Sequence, residues 1–353
     1  MYYQYNHNIH RDSTIHINDI FNMYQKDKQN MIQLLKTDID KLIHLINTTP
    51  CRDYCYKDNK CFHCLNMFYL NDNIVINEPF IVLKQWYMMI DEVLNKIYLK
   101  KINGQLVGNQ LTMKTLITWT IEDLFNQHLL PHALKLELQY CCHHHGYMLY
   151  RVPVMNGELC HFNDFIHQFN DQLPELAYGL LCQIIVIFNE LKSLYYHHQD
   201  INLDIFLFDQ KKCSYKYRKN LIKSPYTMIL CNMDDVIVTI NDTILLFNNN
   251  NNHHDYNNKH VEQKDNLFKL DMDDIEQLKC PYMTSIDFYM IIVLLFKKQF
   301  FEKNDKSLML IKTIFPDFDQ FEINLKTSND PFRVINNIWL YKDPMSIALT
   351  KMS

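Results

Sequence analysis

The strongest hydrophobic pattern in the chain is helical and covers residues 180–194. Leu180, Ile184, Ile187, Leu191 and Leu194 recur every three or four positions, as on one face of a helix. A polar break follows at residues 196–200, and a β-prone apolar run occupies residues 205–208. The pattern therefore predicts a buried helix, a polar turn and a short strand, an arrangement that can hold one carboxylate at the mouth of a cleft.

The same reading of the pattern predicts a mixture of strands and helices along the rest of the chain. We expect one or two amphipathic helices within residues 18–46 and a second strongly apolar helix over residues 283–296. Strands are expected before and after the central helix, with a further short helix among them. The expected strands cover residues 73–83, 97–99, 111–115, 136–140, 147–152 and 226–247, and the short helix covers residues 121–130.

Composition narrows the class of protein. The chain has 353 residues, 48% of them hydrophobic, which is enough for one large two-lobed domain or two domains. The formal net charge of −5 gives no indication of general nucleic-acid binding. No apolar run approaches the roughly 18–20 residues of a membrane span, and the first residues do not resemble a secretory signal. These features predict an intracellular protein without a membrane span.

Four of the eleven cysteines are clustered near the amino terminus. Cys51, Cys55, Cys61 and Cys64 could form a tetrahedral structural zinc site, although only five residues lie between Cys55 and Cys61. Zinc fingers and ribbons usually place a dozen or more residues between the two pairs. Ordinary reduced thiols in a compact loop are therefore the alternative. Asn-rich residues 248–266 are expected to form a low-complexity insertion.

The polar turn at residues 198–205 resembles the catalytic loop of protein kinases, H-R-D-L-x-x-x-N. It reads His-Gln-Asp-Ile-Asn-Leu-Asp-Ile, so His198 and Asp200 occupy the matching positions. The resemblance implies that Asp200 accepts the proton of a substrate hydroxyl. Asp287, at the start of the second apolar helix, resembles the aspartate of kinase helix F that accepts hydrogen bonds from the catalytic-loop backbone. Simple capping of a helix amino terminus is the alternative for Asp287.

The resemblance also implies an ATP and magnesium site. Lys114 would grip the ATP phosphates with Glu122 as its ion-pair partner, and Lys84 is a rival for the lysine. The backbone near Met155 would face the adenine ring, and Asp242 would hold Mg²⁺. A solvated surface lysine and a plain hairpin turn are the alternatives for Lys114 and Asp242.

Several positions depart from the kinase pattern. Ile205 stands where the family has a metal-binding Asn, and Asn202 replaces the lysine usual in Ser/Thr kinases. The glycine loop would fall on Ile90, Glu92 and Asn95, and a glutamate there would repel phosphate. Phosphotransfer depends on electrostatic positioning, so these changes predict weak or absent transfer.

The sequence thus predicts an α+β, two-lobed protein kinase-like fold that is most similar to the divergent kinases of large DNA viruses. We expect a pseudokinase that binds protein partners inside a cell, in the cytoplasm of an infected host if its origin is viral. An active Ser/Thr kinase acting on protein hydroxyls is the first alternative, and a structural protein with a zinc module is the second. The expected units are a helical and Cys-containing extension (1–80), a small β-rich lobe (81–153) and a helical lobe (154–353).

Overall fold

The computed structural model describes most of the chain between residues 28 and 352. The described residues are 28–48, 75–77, 80–83, 86–93, 99–102, 104–108, 110–142, 145–151, 160–198, 201–231, 236–246, 283–301, 304–315, 317–327 and 343–352. The described residues contain both helices and strands, so the fold is mixed α+β, as the pattern predicted.

Nine helices lie within those residues. They are α1 (28–37), α2 (Ile39–Thr48), α3 (Gln110–Gln127), α4 (Phe162–Gln168), α5 (Leu173–Leu191), α6 (Met283–Lys297), α7 (Asp305–Ile314), α8 (Phe318–Thr327) and α9 (Pro344–Lys351). The strands are β1 (Val75–Asn77), β2 (Phe80–Leu83), β3 (Trp86–Val93), β4 (Leu99–Ile102), β5 (Gln105–Gly108), β6 (Lys135–Cys142), β7 (His145–Arg151), β8 (His197–His198), β9 (Phe206–Asp209), β10 (Cys213–Tyr217), β11 (Asn220–Ser224), β12 (Thr227–Leu230), β13 (Val236–Ile240) and β14 (Thr243–Leu246).

The first sheet is antiparallel and has the order β1-β2-β3-β7-β6. The single strand predicted over residues 73–83 contains instead two hairpin-paired strands, with Asn77 opposite Phe80. The predicted strands at 136–140 and 147–152 appear as the paired β6 and β7. Ile90 and Glu92, two of the positions at which the kinase alignment would place the glycine loop, lie inside β3.

The prediction of a strand at residues 111–115 is wrong, because these residues belong to α3. α3 contacts β6 and β7 of the first sheet, β5 and β14 of the second, and α5. As a result the residues from Thr112 to Glu122 are all buried. A helix surrounded on every side has no polar stripe, and its β-branched threonines give it the composition of a strand.

The second sheet has the order β4-β5-β14-β13-β8 and joins distant parts of the chain. β14 runs parallel to β5, while β13 is antiparallel to both β14 and β8. β8 contains only His197 and His198, which pair with Ile237 and Val236. This sheet therefore carries the polar turn at the end of the central helix.

The predicted central helix is α5, and it forms the middle of the helical part of the fold. It contacts α6, α7 and α9 on one side and β11 and β12 on the other, so residues 180–191 are all buried. Within the described residues one stretch, Pro174–Leu194, is long and apolar enough to cross a membrane, but 78% of its most apolar window is buried inside the fold. A core helix meets the same criterion, so α5 gives no clear indication of a membrane span.

The amino-terminal helices α1 and α2 pack against the second sheet and α3. The Asn47 side chain donates to the Leu99 carbonyl and accepts from the Leu99 N–H, both at 2.8 Å. It thereby caps the edge strand β4 as a further strand would. Lys36 forms an ion pair with Asp123 of α3, and its carbonyl accepts from the Asn241 side chain. Residues 28–48 are thus tied to three separate elements.

Candidate functional site

Asp287 of α6 holds the polar turn at the end of α5. Its Oδ2 accepts the backbone N–H of His198 at 2.7 Å, and its Oδ1 lies 2.9 Å from Nδ1 of His197. Thr284, one turn earlier on α6, donates from its hydroxyl to the Tyr196 carbonyl at 2.8 Å. Three consecutive residues of the turn are thereby fixed by two residues of one buried helix.

The chain enters this turn through an unusual backbone conformation. Tyr195 has φ = 45°, in the left-handed region, and ends the 3-10 turn Lys192–Leu194. The chain then runs into β8, where pairing with β13 fixes its direction. A non-glycine residue in this region is held by the surrounding structure. Packing of α6 and pairing with β13 provide that constraint here.

Burial dominates the electrostatics of this contact. The Asp287 side chain is fully buried, and desolvation raises its pKa, while the His197 ring and the His198 N–H act in the opposite direction. The Tyr196 hydroxyl is also fully buried, and desolvation together with the nearby Asp287 carboxylate raises its pKa. A carboxylate in such a site depends on its hydrogen bonds for stability.

The turn continues through residues that form a local polar network. Asn202 accepts the Asp204 N–H at 2.8 Å, and Asp204 accepts from the Asn163 amide at 3.2 Å. Ile205 ends the short 3-10 helix Leu203–Ile205 and is fully buried. The position where a kinase has a metal-binding Asn is therefore part of the apolar core. Asp200, the predicted proton acceptor, lies outside the described residues.

Asp242 lies at the end of β13 that is remote from His198. Val236 begins β13 opposite His198, and the strand extends roughly 13 Å to Ile240. Asn241 and Asp242 form the two-residue turn to β14, with φ of 46° and 62°. These values fit the turns that connect tight hairpins. The sheet register therefore places Asp242 beyond the end of β13 that is opposite to the residue paired with His198, and the alternative reading as a hairpin turn describes its position.

Lys114 and Glu122 lie eight positions apart on the same helix, α3, which separates them by roughly 12 Å along its axis. The predicted arrangement, with the lysine on a strand and the glutamate on a helix, is therefore wrong. Glu122 pairs instead with Lys28 of α1 at 2.6 Å, and both side chains are more than nine-tenths buried. Glu122 Oε2 also lies 3.3 Å from the Leu136 N–H of β6.

The remaining predicted site residues lie outside the described residues. These are Met155 and Lys84, predicted for nucleotide binding, and Cys51, Cys55, Cys61 and Cys64, predicted for zinc. Within the described part of the chain there is no cluster of three or more His, Cys, Asp or Glu side chains that could hold a metal ion. Cys160, Cys182, Cys213 and Cys231, which the structure does describe, are not joined in disulfides.

Two residues of this region were not identified from the sequence. His197 is adjacent to the predicted His198, and only the structure shows that its ring is the one that contacts Asp287. Lys28 lies in a stretch predicted to be helical, but no spacing rule links it to Glu122, which is 94 positions away. In both cases the hydrophobic pattern located the segment but could not identify the residue that it contacts.

The arrangement as a whole anchors a loop rather than assembling reactive groups. Among the described residues, Asp287 fixes the backbone before residue 200, Glu122 is neutralised by Lys28, and Asp242 lies elsewhere. These residues do not by themselves form a site for ATP and Mg²⁺. Comparison of the chain with protein-family models, curated proteins and solved structures finds no match.

Proposed function

We propose that this chain is a divergent protein kinase-like protein with weak or absent phosphotransfer that acts as a binding scaffold. The observation that carries the proposal is the contact between Asp287 and the backbone of His198. The same contact is what the kinase resemblance implies for an aspartate of helix F and the catalytic loop. In this chain the residue that donates its backbone N–H to Asp287 is His198, the histidine of the His-x-Asp sequence.

The order of elements supports a two-lobed kinase-like fold as the finer description. A small antiparallel sheet with α3 between β3 and β6 comes first, followed by the short helix α4, the long helix α5 and the polar turn. The strands β9 to β14 and the apolar helix α6 come next. Kinase elements occur in this order: sheet and helix C, helix D, helix E, catalytic loop, metal-site strand and helix F.

Three positions support weak or absent transfer. Phosphotransfer requires a lysine on the phosphates, a glutamate that positions it, and carboxylate or amide ligands for the metal. Glu122 is already paired with Lys28, Ile205 is buried in the core, and Asp242 lies beyond the far end of β13. A site in which the glutamate and two metal-binding positions are all altered favours a binding function over catalysis.

Any metal-binding carboxylate is better sought before β13 than after it. Asp234 and Asp235 immediately precede Val236 in the sequence, and Val236 is the residue paired with His198. Both aspartates lie outside the described residues. We include them as variants because the sequence places them nearer to the His198 pairing than Asp242 is.

The test is thermal unfolding with and without ATP, at several Mg²⁺ and Mn²⁺ concentrations. A ligand that binds only the folded state stabilises it by about 2.7 kcal/mol at 100 times its dissociation constant. We expect a small or absent shift with ATP that metal does not increase. Asp171→Asn, on an exposed turn, is the control for Asp200→Asn, Asp235→Asn and Asp242→Asn.

A transfer assay from ATP to protein hydroxyls distinguishes the active-kinase alternative. Transfer that requires metal and disappears in Asp200→Asn, but not in Asp171→Asn, would replace the scaffold proposal with an active kinase. Equal incorporation by the wild type and Asp200→Asn would exclude Asp200 as the proton acceptor.

A further inference from the structure

The hairpin formed by β10 and β11 carries an isolated concentration of positive charge. Residues 211–223 contain six basic side chains and no acidic one, although the whole chain has a formal net charge of −5. The six are Lys211, Lys212, Lys216, Arg218, Lys219 and Lys223, and all of them are exposed. We call these six residues together with Leu221 the basic hairpin surface.

The register of the hairpin gives this surface a defined outer face. Ser214 pairs with Lys223, and Lys216 pairs with Leu221, and all four of these residues are exposed. Side chains directly opposite each other on one face of an antiparallel pair lie about 5 Å apart. Leu221 is 59% exposed and therefore lies as an apolar contact point between lysines.

The inner face of the same hairpin is held firmly by the core. Tyr217 donates from its hydroxyl to Glu190 of α5 and accepts from the Asn189 amide, the latter at 2.6 Å. The Tyr215 hydroxyl bonds to the ring of His132. A surface fixed in this way loses little conformational entropy when a partner binds, which favours affinity.

No carboxylate in the described part of the chain forms an ion pair with this hairpin. Among the described residues, no ion pair joins any of the six basic side chains to an Asp or Glu. The Asp209 side chain accepts the backbone N–H of Lys211 at 3.1 Å, not its ammonium group. The Arg218 guanidinium instead lies over the Tyr217 ring, 5.5 Å from its centroid. These charges remain available to a partner.

We propose that the basic hairpin surface is a docking site for an acidic protein segment that carries an apolar residue. Complementary charge would steer the partner and set its register, and Leu221 would contact its apolar side chain. An exposed leucine at the centre of the patch favours a protein over a nucleic acid, because phosphates offer it no apolar contact. This inference does not depend on the kinase-like function proposed above.

The experiment measures binding of a fluorescently labelled acidic peptide, rich in glutamate and containing one leucine, by anisotropy with the full chain. We expect binding that weakens as salt increases, because the charges involved are exposed. Lys216→Glu/Lys223→Glu should weaken it on the order of tenfold or more, since attraction becomes repulsion. The control is Lys41→Glu/Lys306→Glu, which changes the net charge equally on the first turns of α2 and α7 and should leave binding within about twofold.

A second variant separates the apolar part of the proposal from simple charge attraction. Leu221→Ser keeps every charge and should weaken the leucine-containing peptide but not a peptide with serine in place of that leucine. The proposal is overturned if the acidic peptide does not bind, or if both double variants weaken it equally. It is likewise overturned if Leu221→Ser has no effect while a DNA oligonucleotide of equal charge binds as tightly as the peptide.

Discussion

The backbone N–H of His198 donates to Asp287 Oδ2 at 2.7 Å, across a sequence separation of 89 residues. The same carboxylate meets the His197 ring, so a single buried side chain joins β8 to α6. Because the carboxylate is fully buried, the loss of either hydrogen bond leaves one of its oxygens without a donor and costs the desolvation free energy of that group. Asp287 therefore determines where the polar turn begins.

Asp287→Asn should destabilise the fold by about 1–3 kcal/mol, because an amide retains only one of the two acceptor oxygens. Its NH₂ group would face either the His198 N–H, which can only donate, or Nδ1 of the His197 ring, which would have to be the unprotonated nitrogen of its tautomer in order to accept. The free energy of unfolding from urea titration measures the effect. Asp171→Asn, on an exposed turn, should change it by less than about 0.5 kcal/mol. If Asp287→Asn lowers the free energy of unfolding no more than this control does, the hydrogen bonds of Asp287 to His198 and His197 do not stabilise the fold.

The helices α5 and α6 were predictable because their residues follow a helical period or a long apolar run. The first half of α3 was not, since burial against two sheets removes the polar face on which periodicity depends. The helix predicted over residues 121–130 covers only the second half of α3, which ends at Gln127. Leu-Thr-Met-Lys-Thr at residues 111–115 alternates like a strand, and tertiary contacts override that local preference. The error in α3 is also what placed Lys114 on a strand.

The candidate site was predictable only where its residues lie next to elements with a clear hydrophobic pattern. Asp287 and His198 could be found because each lies at the boundary of a strongly patterned element. The partner of Glu122 could not, because pairing between Lys28 and Glu122 depends on how α1 docks against α3. Likewise, Asp242 could be recognised as a turn residue, but the end of β13 at which it lies depends on the register with β8.

The Lys28–Glu122 pair should contribute much more than the neighbouring Lys36–Asp123 pair. Both side chains of the first pair are less than 8% exposed, whereas those of the second are 36% and 27% exposed. Glu122→Gln or Lys28→Met alone should cost about 3–5 kcal/mol, because a buried charge is left without its partner. Lys36→Met should cost less than about 1 kcal/mol.

A double-mutant cycle on Lys28 and Glu122 then separates the pair from the packing. The double variant Lys28→Met/Glu122→Gln should be clearly less destabilised than the sum of the single changes, since neither charge remains. Simple additivity would mean that the two side chains do not interact and would contradict the docking of α1 on α3.

His132 should make the stability of the fold depend on pH. Its ring is fully buried, with Nδ1 bonded to the Met228 carbonyl at 2.7 Å and Nε2 bonded to the Tyr215 hydroxyl. Burial lowers the pKa of His132 from 6.5 to about 4, although the bond to Met228 acts against this shift. The unfolded chain therefore binds a proton more readily, and stability is lost as the pH falls from 6.5 towards 4.

The loss from this group should reach about 3 kcal/mol, given 1.36 kcal/mol for each pKa unit. Urea titrations at pH 7 and pH 5 test it, with His132→Gln expected to show a shallower decline than the wild type. His167→Gln, at an exposed position of α4, is the matched control and should retain the wild-type decline. An identical pH dependence for wild type and His132→Gln would exclude His132 as the cause.

Gly179 allows α5 to pack closely against the basic hairpin. A Cβ atom at this position would lie 2.6 Å from the Lys223 carbonyl oxygen and 3.1 Å from the Ser224 Cβ. Alanine favours a helix by about 1 kcal/mol over glycine, but displacing the backbone of β11 should cost about 1–3 kcal/mol. Gly179→Ala should therefore leave the free energy of unfolding unchanged or lower it. The same substitution at a helical position with open space around it would raise the free energy of unfolding.

The same substitution should also affect the docking site, because Lys223 and Leu221 belong to the strand that must move. We expect Gly179→Ala to weaken binding of the acidic peptide while leaving the net charge unchanged. Gly104→Ala is the control: its φ of 79° strains an alanine, but no atom lies within 4 Å of the added methyl group. It should lower the free energy of unfolding without altering peptide binding. A stabilised Gly179→Ala protein with unchanged binding would show that α5 does not set the position of the hairpin.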